Sequence, residues 1–165
     1  MTDVQIEQTR AFVDQLESGS DTYWDMITVG EETTREITLT PELVILYADG
    51  VEDYNPWFEG WLMNTGVIEG SSPFGGAIVP PMLLSHFIIT VQFDHTKPFP
   101  IGSIHTYHDT EMIEPVPVGT TVRFRATAID KFEKRGRRYV RHEVLVENAE
   151  TGLLYMKETR DILSR

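Results

Sequence analysis

The alternation of apolar and polar positions divides the chain into a mixed N-terminal part, an irregular middle and a strand-rich last third. Val4, Ile6, Phe12, Val13 and Leu16 recur among polar neighbours, which predicts a short amphipathic helix over 4–17 that stops at Gly19. Strand-like segments follow at 23–29 and 35–39, where Ile37 and Leu39 alternate with polar residues. Thr40, Pro41 and Glu42 then make a helix start. A hydroxyl stands at the cap, a proline where its missing N–H costs nothing, and a carboxylate near the positive end of the dipole. This helix carries Leu43, Val44, Leu46 and Tyr47 and stops near Gly50.

Between Glu52 and Gly76 the periodicity dissolves into Asn, Pro, Gly and Ser with three large rings, Trp57, Phe58 and Trp61. So long an irregular stretch within a compact domain is a place to look for function. Pro80 and Pro81 open a second helix over 82–93, apolar on nearly all sides, which predicts burial on every face. Four strands are expected at 103–114, 120–129, 138–147 and 153–162, with Gly119, Gly136 and Gly152 in the turns. On the second of these, Val122, Phe124, Ala126 and Ala128 share one face, and Arg123, Arg125 and Thr127 the other. A long apolar helix followed by sequential strands predicts an α+β architecture, a curved antiparallel sheet wrapped around a central helix. The expected division is an N-terminal helical extension over 1–19 and a single domain over 20–165.

Composition narrows the function. With 41% hydrophobic and 24% charged residues the chain has ordinary globular composition. It has no cysteine, so neither a disulfide framework nor a thiolate metal site is available, which suits the cytoplasm. Met1, Thr2 and Asp3 lack the basic-then-apolar order of a signal peptide. The longest nearly apolar run, 78–93, is interrupted by Ser85, His86, Thr90 and Gln92 and falls short of the roughly 18 to 20 residues of a membrane span. A net charge of −12 argues against nucleic-acid binding. The charge is uneven, however. Residues 1–100 hold 3 basic and 16 acidic side chains, and residues 101–165 hold 11 and 10. Lys131, Lys134, Arg135, Arg137, Arg138 and Arg141 fall within eleven positions. They make either a solvated hairpin tip or a landing site for a phosphorylated ligand.

The stretch Tyr47-Ala-Asp-Gly-Val-Glu-Asp-Tyr-Asn-Pro-Trp-Phe58 resembles the signature of MaoC-like dehydratases and (R)-specific enoyl-CoA hydratases, in which a helix ends in Asp-x-Asn-Pro-x-His. Ser72-Pro-Phe-Gly-Gly-Ala-Ile-Val-Pro-Pro-Met82 is similar to the family's second block, which leads into the central helix. Ile104-His105, Pro115 to Gly119 and Lys134-Arg-Gly-Arg-Arg-Tyr-Val140 resemble its later strands. The likeness spans roughly residues 20–163. It implies a hotdog fold, an acyl-CoA or acyl-carrier thioester as substrate, no cofactor or metal, and a homodimer or a heterodimer with a second hotdog subunit. It also implies that Asp and His move the protons of one water across the 2,3 double bond, while an amide at the start of the central helix holds the thioester oxygen. Asp53 matches the catalytic aspartate, Asn55 the asparagine and Pro56 the proline. Phe58 stands at the histidine position, and Pro81, which has no N–H, at the glycine that supplies the amide. Each loss typically costs on the order of 10² to 10⁴ in rate.

Each candidate carries an alternative. Asp53 is either catalytic or a turn carboxylate, and Asn55 either a site residue or a brace before Pro56. Glu52 and Glu59 are either substitute acids or exposed carboxylates. His86, in the apolar helix, is either a satisfied core or interface histidine or a replacement base. His105 is a third candidate base. Set three apart in a strand, His105 and His108 are expected to face opposite sides, a poor metal pair. His95 and His142 have no evident partner, and no metal-binding set, phosphate-cradling glycine loop or Ser/His/Asp arrangement stands out. Trp57, Phe58 and Trp61 either anchor the loop or wall an acyl tunnel. On the resemblance, Gly75 and Gly76 lie against the substrate, and Arg135, Arg137 and Arg138 against its phosphates.

Overall fold

The computed structural model describes residues 22–53, 55–59, 72–92 and 103–164. The expected helix over 4–17, the boundary at residue 19, Trp61 and His95 lie outside them.

Local chemistry overrides the first expected strand. Tyr23–Met26 is a single helical turn, α1, not part of a strand over 23–29. Asp25 Oδ2 accepts from both the Thr22 hydroxyl (2.7 Å) and the Thr22 amide (3.1 Å), which closes a capping box. The turn sets Tyr23 and Ile27 four apart on one buried side. β1 follows at Glu32–Thr38, then α2 at Pro41–Gly50. Thr40 caps α2 as expected, its hydroxyl accepting from the Leu43 amide at 3.4 Å. Next come α3 at Pro56–Glu59 and the central helix α4 at Pro81–Gln92. Last are β2 at Ile104–Met112, β3 at Thr121–Lys134, β4 at Arg137–Asn148 and β5 at Leu154–Ser164.

The five strands form one antiparallel sheet in the order β1-β3-β4-β5-β2. Burial alternates along β3 from Thr121 to Ala128 and along β4 from Tyr139 to Val146, which sends Val122, Phe124, Ala126, Val144 and Val146 to the face that α4 covers and Val140 to the same face beside α1. The β3–β4 hairpin closes through Arg135 (φ 54°) and Gly136 (φ 71°). Two consecutive left-handed residues make the turn whose twist matches the strands. α4 is not buried all round. Leu83, Leu84, Ser85, Ile88, Val91 and Gln92 face the sheet, whereas Met82 and Ile89 are 50% and 40% exposed. A helix laid on one sheet face covers only the stripe it turns toward that sheet.

The core splits into two apolar clusters. The larger gathers Leu39, Val44, Phe58, Val79, Leu84, Ile88, Phe124 and Met156, and the smaller Tyr23, Ile27, Ala128, Val140 and Ile162. Polar residues lie between them on the same sheet face. Cross-strand neighbours His142 and Arg160, followed by Glu158, are all fully or almost fully buried.

Candidate functional site

Asp53 and Asn55 are held by backbone bonds of the kind that short polar side chains make in turns. The Asp53 amide donates to Ala48 O at 2.9 Å, as α2 ends. Asp53 Oδ1 accepts from the Asn55 amide at 3.3 Å, and Asn55 Oδ1 from the Trp57 amide at 3.0 Å. Asn55 thereby caps α3, whose proline sits at the first helical position. The short helix turns Phe58 inward, where it is 7% exposed and part of the main core cluster. Asp53 faces solvent.

Beside this turn is an apolar cavity of about 300 Å³. Asn55, Trp57, Phe58 and Phe74 wall one side, Val79 and Pro81 the start of α4, and Met112, Ile113, Glu114 and Pro115 the end of β2. Trp57 and Phe74 meet edge to face at 5.6 Å between ring centroids. The loop that carries Phe74 is pinned by Ser72, whose Oγ accepts from the Phe74 amide at 3.2 Å. Gly75 then takes φ 81°, a conformation that a side chain would strain. Gly75 and Gly76 shape this loop but are not among the cavity's walls.

The remaining candidates disperse. His86 is exposed on α4 with its ring 5.4 Å from that of Tyr47. It is therefore neither a core histidine nor a wall of the cavity. Burial first, and the Asp53 charge second, push the Tyr47 phenol above its ordinary value. The backbone of Glu59 ends α3, and its side chain lies outside the described residues. Arg135, Arg137 and Arg138 are exposed at the hairpin tip. Arg137 and Arg138 line a second, more polar cleft of about 550 Å³ with Ile104, Glu133, Gly136, Leu163 and Ser164. Arg138 reaches Glu133 at 3.4 Å, and Lys131 and Arg138 lie 5.3 and 5.5 Å from the Trp24 ring centroid. This cleft adjoins Ile104 at the start of β2, whereas the cavity adjoins Met112 at its end. Along one chain the two are roughly 25 Å apart at strand rise.

The expectation that His105 and His108 face opposite sides is overturned. A β-bulge between His105 and Tyr107 inserts Thr106 as an extra residue, so His105 pairs with Ile162 and His108 with Arg160. Both rings now lie on the core face, 5.4 Å apart. Partial burial first, and the charge of Arg160 next, hold the His105 pKa below its ordinary value.

His108 belongs to a polar cluster that neither the motif nor the spacing announced. His108 Nε2 lies 3.0 Å from Glu158 Oε2 and 2.6 Å from Thr110 Oγ1. The Thr110 hydroxyl donates to Glu158 Oε2 at 2.9 Å. Glu158 and Arg160 are 0% and 2% exposed and bonded to each other. Arg160 also donates to Ser85 O (2.6 Å) and Ser85 Oγ (2.7 Å), which ties β5 to the central helix. Ser85 Oγ, Thr110 and Glu158 all meet the same imidazole nitrogen, the serine at 3.4 Å. This is not the arrangement of a nucleophilic triad, which needs the two nitrogens on different partners. His142 also has partners. Its Nε2 is 3.0 Å from the Tyr23 hydroxyl and its Nδ1 3.1 Å from Gln92 Nε2. The one signal for these networks was polar residues recurring at every second position of β2 and β5 where apolar ones were expected.

No protein-family model and no curated protein matches the sequence. Solved structures match over most of the chain. The unliganded (R)-hydratase PhaJ1 from Pseudomonas aeruginosa has a TM-score of 0.67 at 19% identity, covering 86% of this chain and 84% of that one. HadBC, a (3R)-hydroxyacyl-ACP dehydratase complex from Mycobacterium tuberculosis, has a TM-score of 0.65 at 18% identity, covering 82% and 96%. A MaoC-like dehydratase from Rhodospirillum rubrum has a TM-score of 0.64 at 15% identity, covering 83% and 92%. The chain therefore has the hotdog fold, and its structural neighbours are (R)-hydratases and MaoC-like dehydratases. Among the described residues no helix is long and apolar enough to cross a membrane.

Proposed function

We propose that this chain is a MaoC-like acyl-thioester hydratase/dehydratase-type protein with an altered active site, working as a subunit of a two-hotdog assembly. The observation that carries the reading is the apolar cavity of about 300 Å³ at the motif turn, walled by Asn55, Trp57, Phe58 and Pro81. It lies where the resemblance puts the reacting acyl group. A short acyl chain fits such a space, and its burial would drive binding. The ordinary acid/base pair is missing. Phe58 fills the histidine position as a core side chain, and Asp53 faces solvent while bracing a turn. Pro81 offers no amide to a developing oxyanion. On this reading the chain keeps the shape of the site and a second hotdog subunit supplies the Asp/His pair, and HadBC is an example of a dehydratase that is a complex.

The test is a thermal-shift and calorimetric screen of the purified chain with acetyl-, butyryl-, crotonyl- and octanoyl-CoA. A ligand that binds only the folded state at 100 times its Kd adds about 2.7 kcal/mol of stability. Absence of binding by every thioester in the panel would refute the proposal. A second reading, a self-sufficient thioester enzyme with a displaced base, is favoured by one observation: buried Glu158 orients His108 through Nε2. Rapid turnover of crotonyl-CoA by the chain alone would select it.

A further inference from the structure

The motif turn and the loop that carries Phe74 come from separate parts of the chain, and each is fixed by a bond to its own backbone. Asn55 Oδ1 takes the Trp57 amide at 3.0 Å, and Ser72 Oγ takes the Phe74 amide at 3.2 Å. The Ile78 amide donates to Trp57 O at 3.0 Å, which ties the stretch after the loop back to the turn. The two rings are thereby presented to each other with centroids 5.6 Å apart and planes at 89°. Two perpendicular rings make a corner. A ring that only anchors a loop is buried, as Phe58 is at 7% exposed. Trp57 and Phe74 stay 38% and 49% exposed, and both wall the apolar cavity. The corner is built and still has free ring surface.

We propose that the cavity takes a ring-bearing acyl group, an arylalkanoyl thioester, and that Trp57 and Phe74 select it over a straight chain of equal carbon count. This substrate class rests on the acyl-thioester reading of the same cavity. A flat ring set into a corner of two perpendicular rings meets one of them face on and the other by an edge. Both are arrangements that the aromatic quadrupole favours. One such contact is worth roughly two- to tenfold in affinity beyond the area it buries. Met112, also in the wall, adds a thioether of the kind that packs well against ring edges. The volume agrees. An apolar protein cavity of about 150 Å³ holds benzene. A cavity of about 300 Å³ therefore has room for a phenyl group and the short chain that leads to a thioester. A straight chain long enough to fill the same space loses freedom at every bond, whereas a ring is rigid before it binds. The lining also disfavours an acyl group that ends in a second carboxylate. Among the described residues its only polar side chains are Asn55 and Glu114, and no cation faces such a group.

The carbon-matched esters 3-phenylpropanoyl-CoA and nonanoyl-CoA separate ring recognition from plain burial, with butyryl-CoA as the short control. Each is titrated calorimetrically into the purified chain. Burial alone favours nonanoyl-CoA, whose apolar surface is the larger. The phenylpropanoyl ester should nonetheless bind about tenfold more tightly, or better. Trp57→Leu and Phe74→Leu each remove one ring at a partly exposed position and keep an apolar side chain. Either should bring the two esters within about threefold of each other. The wild-type comparison decides the matter even where one variant fails to fold. A wild type that binds nonanoyl-CoA as tightly, or binds butyryl-CoA alone, overturns ring selection and leaves the thioester reading standing. A preference that survives in both folded leucine variants overturns the role of the corner. If no thioester binds, the chain is titrated with 3-phenylpropanamide, which keeps the ring and lacks the CoA moiety. Binding that the leucine variants weaken then refutes the thioester reading while the ring pocket stands, and no binding refutes both.

Discussion

Placing at position 58 the histidine that the resembled motif carries tests whether this turn can work as a hydratase site. Phe58 is 7% exposed and packs in the main core cluster. Phe58→Ala would cost about 3 to 5 kcal/mol. Histidine keeps a ring but places two nitrogens among apolar neighbours, and the nearby acceptors are engaged. Asn55 Oδ1 takes the Trp57 amide and Asp53 Oδ1 the Asn55 amide. We expect Phe58→His to lose about 2 to 4 kcal/mol. At about 2 to 4 °C per kcal/mol for a domain of this size, that lowers Tm by roughly 5 to 15 °C. Activity should not return, because Asp53 faces solvent and Pro81 still lacks an N–H. The informative variant is Phe58→His/Pro81→Gly, which also loses a favoured first-position proline. The assays are urea denaturation and loss of the enoyl absorbance of crotonyl-CoA, with enzyme free of contaminating hydratase. The reasoning fails if the wild type, or Phe58→His alone, hydrates crotonyl-CoA at about 1 to 10³ per second.

Two further outcomes concern the buried cluster. Arg160→Met leaves Glu158, 0% exposed, as an uncompensated buried carboxylate, and should cost about 3 to 5 kcal/mol in urea denaturation. The double variant with Glu158→Met should recover most of that, and a single-variant loss below about 1 kcal/mol would mean the pair behaves as a solvated one. The His105 pKa is held below its ordinary value of 6.5, so between the two values the unfolded chain binds more protons than the folded one. Stability should therefore fall as pH drops through about 6.5 and below. His105→Gln should flatten that slope between pH 7 and 5, and an unchanged slope would assign it elsewhere.

The fold was legible where local and global signals agree. Thr40-Pro41-Glu42 announced α2, and the alternation from Val122 to Ala128 announced both the strand and its buried face. The motif turn was legible too, because Asp53, Asn55 and Pro56 are a turn and a helix cap whatever else they do. Tyr23–Met26 misled because aromatic content suggests a strand, while the bonds of Thr22 to Asp25 close a helical turn. The bonds of Arg160 to Ser85 were hidden because they join residues 75 positions apart. No local pattern encodes which face of a helix a distant strand will meet. The central helix reads as buried on every face because composition alone does not say how many faces a neighbour covers.

The extra residue in β2 makes this strand readable in two frames. From Tyr107 onward every second side chain reaches the core face, and before Thr106 the parity is reversed. Substituting Thr106 would remove little more than its hydroxyl's bond to Asp161 O, at 3.1 Å. Deleting it is a different event. Ile104 and His105 would exchange sides, taking the imidazole away from Arg160 and turning an isoleucine toward the buried polar band. The strand therefore tolerates changes of letter at this position far better than a change of length. Homologous chains that lack the bulge would need a different residue, not His105, beside the buried arginine.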